Sequence, residues 1–188
     1  MDALMAALVL GAICQAGDRT PWLAAILADR YRARAAIIAA AVLALALNYV
    51  LGALGGVLLA PRLTPEARGM LLGLALVFAG LGTPLRRAAP DRLTGWRLGA
   101  FGTGATGMVI MAFGDRMQFV TLALAARSPL PWLAAVGATL GALAVTVPAI
   151  VIGEAGWTAL PRRAVALASA AMLTGAGIVV ALRSISLI

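Results

Sequence analysis

Residues 35–60 form one apolar run, AAIIAAAVLALALNYVLGALGGVLLA, without a single charged side chain. As a helix at about 1.5 Å per residue it would be roughly 39 Å long, more than the roughly 30 Å of a bilayer's hydrocarbon core. A helix apolar on every side at that length belongs in lipid. Five more runs resemble it, giving expected spans at 3–28, 35–60, 68–86, 98–126, 132–157 and 164–182. Links rich in Arg and Pro separate them: DRYRAR, PRLTPEAR, RRAAPDRLTGWR, RSPLPW and LPRR. With 63% hydrophobic residues and a mean hydropathy of +1.01, the composition is that of an all-α membrane protein with six transmembrane helices. The first run has neither a basic leader nor a clear cleavage site and is expected to be a retained span.

The net charge of +8 is not a nucleic-acid footprint. All fifteen basic residues are Arg, and most sit in short links, where they anchor spans and set orientation. No link is long enough to build a basic domain. The links after spans one, three and five hold nine of them: Arg30, Arg32, Arg34, Arg86, Arg87, Arg92, Arg97, Arg162 and Arg163. The other side holds four: Arg62, Arg68, Arg127 and Arg183. This imbalance places the odd-numbered links in the cytoplasm and both termini outside, in the periplasm if the membrane is a bacterial inner membrane. The chain has no His, which excludes imidazole metal sites and imidazole proton relays. With Cys14 its only cysteine, it has no internal disulfide.

The two halves are related. At an offset of 97, Gly17-Asp18-Arg19 meets Gly114-Asp115-Arg116, Leu27-Ala28 meets Leu124-Ala125, and Arg30 meets Arg127. With small gaps, Pro61-Arg62 answers Pro161-Arg162, and MLLG at 70–73 answers MLTG at 172–175. The pattern predicts a duplicated three-span unit, residues 1–92 and 93–188. Three is odd, so the second copy enters the membrane inverted. That is the plan of many secondary transporters, whose site lies at the midplane between repeats.

Asp18 and Asp115 each lie twelve residues before the Arg that ends the span. This is roughly 18 Å of helix, which puts both near mid-membrane from opposite sides. A charge at the bilayer centre costs about 2.5–3.5 kcal/mol on insertion scales. Two such pairs point to an ion or proton site. Asp18 and Asp115 would supply carboxylate ligands. Gln15, Thr20 and Gln118 would supply neutral oxygens, with Gln15 and Asp18, and likewise Asp115 and Gln118, at helical spacing on one face. Gly17 and Gly114 allow unwinding or close approach, and Pro21 frees a carbonyl near Gly17. The alternative is an ionic clasp, Asp18 with Arg116 and Asp115 with Arg19, holding no ligand. Cys14, Met111 and Met117 flank the motifs and suit either a soft metal or simple gap filling. The glycines of GALGG (52–56) and GTGATG (102–107) are expected to permit close helix packing. Asn48, Thr103, Thr106, Thr139 and Thr146 are polar groups for a cavity or for interhelical bonds. Glu154, the other acid within a span, is a candidate for proton handover or an interfacial acid paired with Arg162 or Arg163.

The paired motifs QAGDRT and AFGDRMQ, with six spans and a repeat covering the whole chain, resemble the cation/proton antiporter family once called uncharacterised protein family 0016. That family includes Golgi calcium/manganese–proton antiporters and bacterial manganese exporters, and it belongs to the lysine-exporter superfamily. Its hallmark, E-x-G-D-[KR]-[ST], occurs in the first and fourth spans of an inverted three-plus-three repeat. The resemblance implies functional roles for Asp18, Arg19, Thr20, Asp115, Arg116 and Gln118. The hallmark glutamates are replaced by Gln15 and Ala112, and the second hydroxyl by Met117. Four acids and two bases would leave a net −2; two acids and two bases here cancel. A hard dication favours carboxylate oxygens, so the site should hold it more weakly.

The expected activity is exchange of a divalent cation, Mn²⁺ first and Ca²⁺ second, for protons across the bacterial inner membrane, with no cofactor. The partners expected are the lipid bilayer, the cation and protons, with self-assembly into a homo-oligomer left open. Two alternatives stand beside it. One is the same scaffold moving a monovalent cation or an amino acid; the other is a degenerate subunit that moves nothing. An enzyme is not expected, since there is no His, no Ser nucleophile elbow and no second acid beside either Asp.

Overall fold

The computed structural model describes residues 2–82 and 89–186, and among them the regular structure is helical, with no strand. Eight α-helices follow in order: α1 (Asp2–Ala16), α2 (Thr20–Tyr31), α3 (Arg34–Leu59), α4 (Pro65–Leu81), α5 (Gly99–Ala112), α6 (Arg116–Arg127), α7 (Trp132–Ala159) and α8 (Arg162–Ser184). A single 3₁₀ turn, Ala60–Arg62, extends α3.

The helix ends follow local chemistry. Thr64 adopts an extended conformation and accepts from the Ala67 N–H at 3.2 Å, capping α4 just before Pro65. Arg68 then locks the α3–α4 turn from behind, donating to the carbonyls of Ala60 at 2.7 Å and Leu63 at 3.2 Å. At the end of α2, Arg32 turns left-handed, with φ of 51°, and its N–H returns to Ala28.

Three helices are long and apolar enough to cross a membrane alone: α3 with its 3₁₀ turn (29 residues), α7 (28) and α8 (23). The expected fourth span is instead two helices, α5 and α6, bent by 69° at the second G-D-R segment. Counted as one broken span, they make a fourth. The expected first span is likewise interrupted, by residues 17–19 between the 15-residue α1 and the 12-residue α2. The expected third span is the 17-residue α4. Arg86 and Arg87, used in the orientation argument, lie outside the described residues.

Packing is close and built on small side chains. α1 packs on α7 and α5 on α3; α2 also meets α7, α6 also meets α3, and α3 and α7 are in contact. α4 pairs with α8 and touches α6. A methyl group at Gly141 would collide with the Leu8 carbonyl oxygen on α1. One at Gly52 would sit 2.8 Å from the Gln118 carbonyl oxygen on α6, so GALGG does bring two helices together. The main core joins Ala7, Cys14, Leu45, Tyr49, Met117, Val120, Ala138 and Leu173. A second core around Leu23, Leu27, Ile37, Met108 and Ile150 fills the other end. Leu58, Phe78, Ile110 and Met172 point outward, where lipid is their natural solvent.

This packing predicts that Gly141→Val lowers the unfolding free energy in detergent by about 1–3 kcal/mol, through overpacking against α1. Gly175→Ala, with nothing within 4 Å of its added carbon, should stay close to wild type in the same thermal unfolding assay.

Candidate cation site

Both G-D-R segments lie where a helix stops and a new one begins. In the first, the Asp18 N–H turns back to the Gln15 carbonyl at 3.0 Å; in the second, the Asp115 N–H turns back to the Ala112 carbonyl at 3.0 Å. The same backbone turn onto the aspartate N–H occurs at both places, but the conformations differ: Gly114 has a positive φ and Gly17 does not, and Asp115 is extended where Arg19, before α2, is helical. The restarted helices present free N–H groups and a partial positive charge, which suit a carboxylate.

Asp115 uses this in full. Its backbone is extended, and Oδ1 accepts the Gln118 N–H at 2.6 Å as the cap of α6. Gln118 reaches back, its Oε1 accepting the Gly114 N–H at 2.8 Å. Gly114 has a φ of +73°, a conformation few other residues adopt, and this permits the 69° change of direction. In the first segment, Asp18 Oδ2 accepts from the Thr20 hydroxyl at 2.9 Å and from the Thr20 N–H at 3.4 Å. Thr20 is fully buried. Pro21 stands in the first turn of α2, so it starts a helix there and does not kink a continuing one.

The two segments meet. Arg116 of the second donates to the Cys14 carbonyl of α1 at 2.8 Å and to the Ala79 carbonyl of α4 at 3.1 Å. The same guanidinium lies against Gly17, 3.6 Å from where a Cβ would be. The carboxylates of Asp18 and Asp115 are within electrostatic reach of each other. A neighbouring helix adds Tyr49, fully buried, whose hydroxyl donates to Asp115 Oδ2 at 3.5 Å.

Several expected placements change. Gln15 and Asp18 do not share a helix face, because α1 ends between them; the Gln15 amide donates instead to Thr146 on α7 at 3.5 Å. Gln118 has both ends of its amide committed, to Gly114 and to the Asn48 carbonyl at 3.2 Å, so it braces the break. No ion pair joins Asp115 to Arg19 among the described residues, and the Arg19 Nε is buried without a partner there. Cys14 and Met117 are buried in the main core.

Glu154 is also paired differently. Its partner is Arg92, at 2.6 Å, and not Arg162 or Arg163. Arg162 stacks on the Trp22 ring, 4.1 Å from its centroid. α7 is broken one residue before Glu154, at Gly153, with φ of +73°. Asp29, from the end of α2, accepts the Glu154 N–H at 2.7 Å, and a Cβ at Gly153 would strike its carboxylate. Arg30 gathers the 92–96 segment by donating to the carbonyls of Arg92, Leu93 and Thr94. Glu154 thus lies in a network at one end of the bundle, away from the two aspartates.

Among the described residues no three or more of His, Cys, Asp and Glu come together as a metal cluster. The donor set at the breaks is two carboxylates with hydroxyl, amide and carbonyl oxygens around them, which suits a hard cation held weakly or transiently.

A sequence profile of the family described as "Divalent cation/proton antiporter GDT1" matches residues 3–91 and 100–186. The chain belongs to this family. A relative from Vibrio cholerae serotype O1, named "Putative manganese exporter", is 33% identical over 167 residues, covering 86% of this chain and 81% of its own. No solved structure matches the chain. The GDT1 family is one of membrane antiporters, not an enzyme class, so the chain is a multi-pass membrane protein of the transporter type. Within this GDT1 chain, sequence reasoning overlooked Tyr49, Asp29 and Gly153. Tyr49, beside Asn48 in an apolar run, and Gly153, directly before an acid, were the signals available.

Because Asn caps helices as well as Asp, Asp115→Asn should leave the thermal unfolding midpoint close to wild type. Asp115→Ala, which leaves the Gln118 N–H without its cap, should cost about 0.5–2 kcal/mol in the same measurement.

Proposed function

We propose that the chain exchanges a divalent cation, Mn²⁺ before Ca²⁺, for protons across the bacterial inner membrane, with Asp18 and Asp115 as the ligands that alternate between cation and proton. One observation carries this reading: two helices break at the two G-D-R segments, and the breaks bring both carboxylates within each other's field. Two carboxylates can hold either one dication or two protons, so a single pair of groups serves both substrates. The description of the family and the name of the Vibrio relative support the choice of ions.

In this reading Thr20 and Gln118 orient the carboxylates, and Gln15 stands where the related hallmark has an acid. Arg116 holds the break of α1 to α4, and Arg19 lends positive charge when the cation is absent. Glu154, tied to Arg92, belongs to the gate at one end.

The proposed architecture is six spans in two inverted units, residues 1–92 and 93–188, with α1–α2 and α5–α6 each forming one broken span. Exchanging the halves maps the pairing of α1 with α7 onto that of α5 with α3, and α2 with α7 onto α6 with α3. The two separate profile matches support the same division. The end bearing Arg30, Arg92 and Glu154 would face the cytoplasm, where arginine-rich links are favoured, and both termini would face the periplasm.

A second reading, a monovalent cation or an amino acid on the same scaffold, is favoured by the loss of both hallmark acids. Flux into proteoliposomes under a pH gradient, with Mn²⁺, Ca²⁺, Na⁺ and amino acids in competition, separates the two. We expect Mn²⁺ uptake coupled to proton release, reduced by about tenfold or more in Asp18→Asn and in Asp115→Asn. Normal flux in both variants rejects the site; Na⁺ or amino-acid flux without Mn²⁺ rejects the ion.

A further inference from the structure

Asn48 lies in the middle of α3, fourteen residues from Arg34 and eleven from Leu59, and is only 3% exposed. Neither its Oδ1 nor its Nδ2 has a hydrogen-bond partner among the described residues. A buried carboxamide with both ends unpaired is costly anywhere and more so inside a membrane. Such a group calls for a partner that the described residues do not provide.

The surroundings of Asn48 say what kind of partner. Its backbone carbonyl accepts the Gln118 amide at 3.2 Å, the same Gln118 whose N–H is capped by Asp115. The next residue, Tyr49, donates its hydroxyl to Asp115 Oδ2 at 3.5 Å. The backbone of Asn48 and the side chain of the next residue are therefore both bonded to the second break. Gly52, one turn on, lets α3 and α6 approach so closely that a methyl there would sit 2.8 Å from the Gln118 carbonyl oxygen. Carboxamide oxygens are ordinary ligands for hard divalent cations.

We propose that Asn48 is a neutral oxygen ligand of the transported cation, supplied by α3 to a site otherwise made by the two helix breaks. This rests on the reading of Asp18 and Asp115 as the cation site. Asn48 would add an oxygen without adding charge. It therefore favours binding over the apo state while leaving the number of exchangeable protons to the two aspartates.

The test uses the full-length protein in proteoliposomes and reads the half-saturating Mn²⁺ concentration together with the thermal unfolding midpoint. Asn48→Ala should raise half-saturation by about tenfold or more. Asn48→Asp, nearly isosteric but charged, should lower half-saturation below the wild-type value, an effect that a purely structural role would not produce. If Asn48→Ala saturates like wild type, whatever its unfolding midpoint, the proposal is overturned and the cation site stands. If Asn48→Ala does not fold, Asn48→Asp decides: half-saturation at or above the wild-type value overturns the proposal. Absence of Mn²⁺ flux in the wild type overturns the cation reading and this inference together; flux in the wild type that Asp115→Asn abolishes but Asn48 variants leave untouched overturns this inference alone.

Discussion

A backbone that stops being helical inside a membrane must find new partners for its N–H and carbonyl groups. The rest of this structure depends on how that need is met twice. At each G-D-R segment the aspartate N–H closes the ending helix, and the aspartate side chain takes up donors of the starting one. The carboxylate thus accepts donors of the restarted helix while remaining only partly buried. A continuous helix with the same aspartate would bury its charge without any backbone donor, at the full insertion cost.

The arginines complete this arrangement in an unexpected direction. An Asp–Arg sequence in an apolar span suggests a neutral pair, yet Arg116 directs hydrogen bonds to carbonyls of α1 and α4. Those carbonyls belong to helices near their C-terminal ends, where the partial charge is negative and a cation is stabilised. Arg116 thus fastens one helix break to its counterpart and to α4. The two aspartates lie within electrostatic reach of each other, and on the proposed reading two carboxylates can hold either one dication or two protons.

Much of the fold was legible in the sequence, because a bilayer imposes a length and a hydropathy that a run such as 35–60 displays openly. The helix limits fall within a few residues of the expected runs for α3, α7 and α8. The motifs were legible too, since charge within an apolar run is conspicuous. The breaks were less so. Spacing in threes and fours put Gln15 beside Asp18, but that rule holds only while the helix continues, and α1 ends at Ala16. Similarly, Arg162 and Arg163 are near Glu154 in sequence, whereas its partner Arg92 comes from a distant link. Tertiary pairing across sixty residues leaves no trace in local pattern. Tyr49 carries no charge to draw notice, and its hydroxyl matters only because α3 crosses the second break.

The first break and the charged network at the end of the bundle share one element. α2 is twelve residues long: Thr20 at its start bonds Asp18, and Asp29 near its end caps the restarted turn of α7 at Glu154. On the proposed reading, α2, three turns long, would carry a change in how Thr20 meets Asp18 to Asp29 as one piece. There it meets Gly153, another glycine with positive φ, with no side chain between the helix and the carboxylate. On the proposed reading, filling the cation site and loosening the Asp29–Glu154–Arg92 network are two ends of one rigid movement. The break at Gly153 then makes physical sense: an unbroken α7 would leave Asp29 no N–H to hold and the two ends of α2 no reason to move together.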